Sequence, residues 1–104
     1  MKRNAFIMKL KEGCAAEYRR RHEQIWPELM NKYSDYGIRD YTIFLDEKTL
    51  TLFAVRQVSD DYRGERLSDD ELIRQWWDYN AGLMECNADN SPISQTLEEV
   101  FHVD

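Results

Sequence analysis

The sequence predicts an α+β fold with the order strand, helix, strand, strand, helix, strand, and three observations carry that expectation. Apolar side chains recur at intervals of three and four residues in two windows, near 14–36 and 69–85, the spacing of one face of an α-helix. Short runs rich in β-branched and aromatic residues stand before, between and after these windows. Two of the runs are joined by the polar stretch DEKT, which reads as a hairpin connection.

The first strand is expected over residues 5–10, AFIMKL, which is apolar on both sides and suits a strand with both faces at least partly covered. From Cys14 to Tyr36, the residues Tyr18, His22, Ile25, Trp26, Leu29 and Tyr33 fall on one helical face, and Gly37 is placed to end the helix. Pro27 has no backbone N–H to donate, so the helix should kink or restart there with Pro27 in the first turn of the second segment. Strands two and three follow at 38–45, IRDYTIFL, and 50–58, LTLFAVRQV. A second helix is expected from Asp69 to Glu85, capped by Ser68 or Asp69, with Leu72, Ile73, Trp76, Leu83 and Met84 on its apolar face. A last strand from Leu97 to Val103 completes a ferredoxin-like βαββαβ domain over residues 1–104, a four-stranded antiparallel sheet with two helices on one face. The sheet's other face also carries apolar side chains, Ala5 and Ile7 on strand one and Phe53 and Val55 on strand three. Two copies pairing sheet to sheet would cover them, which predicts a homodimer of the dimeric α+β barrel kind.

Composition narrows the function. Acidic residues outnumber basic ones 20 to 14, for a net charge of −6, and only Arg19, Arg20 and Arg21 cluster, so there is no cationic stripe to track nucleic-acid phosphates. The start, MKRNAFIMKLKEG, is too briefly apolar for a signal-peptide core, and no later stretch could span a bilayer, so no membrane association and a cytoplasmic location are expected. Cys14 and Cys86 then read as small buried hydrophobes. The four glycines, at 13, 37, 64 and 82, are isolated and make no phosphate loop. Two histidines without clustered carboxylates at ligand spacing give no metal site, and no nucleophile turn is present for Ser-His-Asp catalysis. Nucleotide binding, a metal site and a catalytic serine are thereby set aside.

What remains is a cluster of inward groups. His22 titrates near neutrality when unperturbed and shares a helix face with Tyr18, Ile25 and Trp26, while Arg19, Arg20 and Arg21 read as a solvated face, with Glu17 and Glu23 placed to pair with some of them. A lone inward histidine is more often a satisfied structural group. Tyr18, and Tyr41 from strand two, would add directional hydrogen bonds in an apolar cavity, as sites for small polar ligands require. Trp76 and Trp77 point about 100° apart on a helix, so the core takes one readily; the other is either a pocket wall suited to the C–H face of a sugar or a cover for the dimer seam or a loop. The turn-rich NADNSP, Asn87 to Pro92, is foremost a structural loop and secondarily a source of Asn and Ser groups over the pocket.

Four motifs in this order and spacing, YRRRHEQIWPEL, DYTIFLD, QWWDY and NADNSP, resemble the L-rhamnose mutarotase family over nearly the whole chain. The resemblance implies a cofactor-free, dimeric, ferredoxin-like sugar epimerase acting at the anomeric carbon of L-rhamnose. His22 falls on the family's proton donor, and Tyr18, Tyr41, Trp76 and Trp77 fall on its sugar-binding positions. Two stretches depart from the family pattern: Ala88 stands where the loop commonly has proline, and residues 59–68, SDDYRGERLS, are unusually polar. Interconverting the α and β anomers needs a proton delivered to the ring oxygen and one removed from the anomeric hydroxyl, which positioned acid-base groups supply without redox or metal chemistry. His22 is expected as the general acid; Tyr18, Tyr41 or a water remain open as the second group. Two other readings fit such a pocket, a cofactor-independent oxygenase on the same fold and a non-catalytic sugar-binding module.

Overall fold

In the computed structural model, which describes residues 1–104, the elements run β1 (Lys2–Lys9), α1 (Ala15–Glu23), α2 (Pro27–Asp35), β2 (Ile38–Asp46), β3 (Thr51–Val58), α3 (Glu71–Asn80) and β4 (Gln95–Leu97). The sheet has the order β2-β3-β1-β4 with every neighbouring pair antiparallel. This is the expected ferredoxin-like arrangement.

Pro27 occupies the first turn of α2 after a break at Gln24–Trp26, so the predicted kinked helix is two helices. Gly37 follows α2 with φ 88°, and a Cβ built there would lie 2.3 Å from the Ser59 hydroxyl oxygen, so both backbone angle and space demand glycine.

Three expected boundaries are corrected. Helix α3 is capped by Asp70, not Ser68 or Asp69: the Asp70 carboxylate accepts from the Leu72 and Ile73 backbone N–H groups, at 2.9 and 3.2 Å. The preceding residues Gly64–Asp69 are a 3-10 segment. At its other end α3 stops at Asn80, gives way to a 3-10 turn over Ala81–Leu83, and Met84 forms a bridge to Leu10. The helical spacing of Leu83 and Met84 thus comes from a tightened turn packed on the sheet. Strand β4 spans Gln95–Leu97, not Leu97–Val103. Beyond it Val100, Phe101 and Val103 are 88%, 79% and 73% exposed, because no further strand of the chain lies beside them to pair with or pack on.

The helix-facing side of the sheet builds the core. Met8, Leu10, Leu52, Ala54 and Met84 form one buried cluster with Tyr18; Leu29, Ile73 and Trp76 form another between α2 and α3. Leu29, Leu52 and Ile73 are fully enclosed, each stabilising the fold by about 1.5–3 kcal/mol of side-chain burial. The opposite side is open: Phe53 on an interior strand is 40% exposed and its cross-strand partner Phe44 is 60% exposed.

Candidate active site

Between the helices and the β2 side of the sheet lies a cavity of about 570 Å³, large enough for a monosaccharide. All five residues singled out from the sequence line it: Tyr18 and His22 from α1, Tyr41 from β2, Trp76 and Trp77 from α3. Helical spacing brings Tyr18 and His22 together, one turn apart with ring centroids 4.0 Å from each other. Trp76 meets His22 edge-on at 5.1 Å and Trp26 at 5.0 Å, which locks the imidazole between a phenol and an indole. Trp77, one residue on, turns about a quarter-circle away and reaches a different part of the cavity wall.

His22 has a defined tautomer. Its Nδ1 lies 2.9 Å from the Tyr18 carbonyl oxygen. A carbonyl only accepts, so Nδ1 carries the proton and Nε2 is left with a lone pair. Burial lowers the His22 pKa below its ordinary 6.5, an effect that outweighs the opposing bond to the Tyr18 carbonyl. The resting group at pH 7 is therefore a neutral imidazole with Nε2 as an acceptor.

The phenols are shifted the other way. Burial raises Tyr18 far above its ordinary range and Tyr41 to about 12, and the Arg56 guanidinium near the Tyr41 ring moderates the latter. Both remain protonated donors throughout the physiological range. Tyr33, from α2, joins them; its ring meets Tyr41 edge-on at 5.4 Å, and burial raises its pKa too. Tyr33 was legible as an inward helical residue, although nothing in its spacing marked it for a ligand site.

Further wall residues went unmarked in the sequence, among them Arg39, Asp40 and Asn80. Asn80 is 4% exposed; its Nδ2 donates to the Trp76 carbonyl at 3.0 Å, and its Oδ1 is buried without a partner. Asp40 lies beside Tyr41 with a left-handed backbone, φ 51°. The NADNSP loop is a structural loop, as first expected. It ties itself together, with the Asn87 N–H donating to the Ser91 carbonyl at 2.8 Å and Asn87 Nδ2 to Ser91 Oγ at 3.0 Å. It also borders the cavity through Asn90 and Pro92, with Asn90 Nδ2 bonded to Asp78 on α3 at 3.0 Å.

Outside the cavity, Glu17 pairs with Arg20 at 2.6 Å and Arg21 at 2.7 Å, and those bonds hold its pKa near 2. Arg21 departs from a purely solvated role: it also donates to the Tyr79 carbonyl and lies 4.1 Å over the Tyr79 ring, fastening α1 to the end of α3.

An aromatic-walled cavity with one neutral imidazole and protonated phenols, on a ferredoxin-like sheet, defines a small-molecule enzyme of the acid-base type. The chain belongs to the L-rhamnose mutarotase family, whose family model matches residues 3–103. It is 51% identical over 102 residues to an L-rhamnose mutarotase of Flavobacterium johnsoniae, covering 98% of this chain and 95% of that one. A relative of the same name from Bacteroides thetaiotaomicron is 48% identical over the full length of both chains. Among solved structures, the crystal structure of an L-rhamnose mutarotase from Formosa agariphila superposes with a TM-score of 0.92 at 46% identity, covering 100% of each chain. A Pseudomonas aeruginosa protein with a TM-score of 0.59 and 15% identity, covering 95% of this chain and 93% of that one, shares the fold alone.

Proposed function

We propose that the cavity is the active site in which this isomerase interconverts the α and β anomers of L-rhamnopyranose, with His22 as the proton-transfer residue and Tyr18, Tyr41, Trp76 and Trp77 holding the sugar. The observation that carries this reading is the commitment of His22 Nδ1 to the Tyr18 carbonyl inside an aromatic cavity, which leaves Nε2 for the ligand. Neutral Nε2 takes the proton of the anomeric hydroxyl; the C1–O1 bond becomes a carbonyl as the C1–O5 bond breaks, and O5 receives a proton. Both oxygens are bonded to C1, so the imidazolium formed in the first half is within reach of O5 and delivers its proton there as the general acid. Rotation about C1–C2 and the reverse sequence close the ring on the other face. The protonated phenols of Tyr18 and Tyr41 donate hydrogen bonds to sugar oxygens, and the indoles of Trp76 and Trp77 pack on the ring's C–H surface.

The working form proposed is a cytoplasmic homodimer of one-domain chains. Half-buried free thiols at Cys14 and Cys86 suit a reducing compartment, and no helix is long and apolar enough to cross a membrane. The open sheet face around Phe44, Phe53 and Leu97, with the apolar tail of Val100, Phe101 and Val103, supports the dimer.

NMR exchange between the α and β signals of L-rhamnose tests the activity. The protein is expected to speed this exchange and to act less well on L-fucose; an L-rhamnose exchange rate unchanged by added protein would remove the reading.

A further inference from the structure

The catalytic face of β2 contains a register fault. Ile38 stands opposite Val58 and Arg39 opposite Gln57, but Thr42 stands opposite Val55 and Ile43 opposite Ala54. Asp40 and Tyr41 together therefore face the single residue Arg56, which defines a β-bulge with one extra residue on β2. The fault decides where Tyr41 points. In unbroken alternation, a strand that turns Ile38 towards the helices would also turn residues 40, 42 and 44 that way and send Tyr41 and Ile43 to the open face. Instead Ile38 is buried and Tyr41 and Ile43 pack against the core under the helices, while Thr42 and Phe44 are exposed; Arg39 and the bulged Asp40 border the cavity at its rim. The additional residue is absorbed at Asp40, whose φ of 51° is the one left-handed angle in β2. Few side chains tolerate that conformation; Asp and Asn do so better than most, glycine best, and β-branched residues worst.

We propose that Asp40 is a positioning residue for the mutarotase reaction, its left-handed backbone making the bulge that turns Tyr41 into the sugar cavity. The inference rests on the reading of Tyr41 as a sugar contact. It identifies the backbone of Asp40, and not its carboxylate, as the working part. Once turned inward, Tyr41 is held by Phe6 edge-on at 6.3 Å, by Tyr33 at 5.4 Å and by the Arg56 guanidinium at 5.5 Å. Arg56 is itself fixed, donating to Asn4 Oδ1 at 2.8 Å and to the Tyr62 hydroxyl at 2.6 Å. Strain located beside a reactive cavity, with a surround that holds its product in place, is the pattern expected of a built positioning device.

The test is a substitution series at Asp40 read by anomer exchange and by NMR. Asp40→Gly and Asp40→Asn are expected to retain kcat/KM to about twofold, since both accept a left-handed angle. Asp40→Ala should fall lower, and Asp40→Val lower still by about 10- to 100-fold, the cost of displacing a group at a reacting centre by an ångström. In folded Asp40→Val the nuclear Overhauser contact between the Tyr41 and Phe6 rings should be lost, whereas Asp40→Gly should keep it. On a Tyr41→Phe background the step from Asp40 to Val should cost less than in wild type. If Asp40→Val does not fold, the order of Gly, Asn and Ala still decides. Equal losses in the Gly, Asn and Ala variants would mean that the carboxylate matters, and would overturn the proposal while leaving Tyr41's role standing. A Tyr41→Phe protein with wild-type kinetics would overturn Tyr41 as a sugar-binding hydroxyl and the positioning role with it.

Discussion

At the scale of single residues, His22 shows how far the sequence reaches. Its inward direction and its company, Tyr18 one turn before and Trp76 from the other helix, follow from spacing. Its tautomer does not, because that depends on a backbone carbonyl 2.9 Å away. The consequence is a pH profile. Burial depresses the His22 pKa, so the neutral acceptor form persists at pH 7 and is lost only as pH falls through a value below 6.5. A kcat/KM profile for anomer exchange should therefore be flat above neutrality and decline on the acid side below pH 6.5; a midpoint above 6.5 would contradict the burial argument. Asn80 was passed over by residue type and not by place: it lies four residues after Trp76 and seven after Ile73, on the face that carries them, but a polar side chain reads as solvent-facing until packing encloses it. Asn80→Leu removes the desolvation cost of the unpartnered Oδ1 and also the Nδ2 bond to the Trp76 carbonyl, so the two effects should offset and thermal stability stay within about 1 kcal/mol of the unaltered chain.

At the scale of elements, existence and type were legible and boundaries were decided by capping and pairing. The cap of α3 is the clearest case. Ser68, Asp69 and Asp70 are all competent caps by type, and Asp70 alone has its carboxylate on the Leu72 and Ile73 N–H groups while also meeting Lys32 at 3.2 Å and the Tyr36 hydroxyl at 3.0 Å. Although burial works against its charge, these bonds together lower the Asp70 pKa. Asp70→Ala should cost about 1–2 kcal/mol in chemical denaturation, and Asp69→Ala much less. A like effect of the two substitutions would place the cap elsewhere. The bulge in β2 was hidden because period-two alternation counts residues without registering an extra one. The sequence DYTIFL satisfied the pattern from Tyr41 onward, and Ile38 satisfied it separately.

At the scale of the whole molecule, apolar residues proved an ambiguous signal. The last strand was expected to run through Val100, Phe101 and Val103 because apolar content reads as burial. In this chain those side chains meet solvent, as do Phe53 on the interior strand β3 and Phe44 beside it on the edge strand β2. A sequence records that a surface is apolar, not what covers it. Phe53→Asp should therefore give a monomer by light scattering where the unaltered chain gives a dimer, because a charge at the centre of an apolar interface is left without a partner. An unaltered chain that is monomeric at micromolar concentration would count against the sheet-to-sheet dimer.

One half-buried, neutral histidine is proposed to move the proton that opens and recloses the sugar ring. This role is tested most directly by NMR exchange between the α and β signals of L-rhamnose, with wild type against His22→Ala at equal concentration and pH 7. Wild type is expected to drive the exchange, and the variant to lose about 10²-fold or more of that acceleration while retaining its fold. A His22→Ala protein that exchanges the anomers as fast as wild type would contradict it.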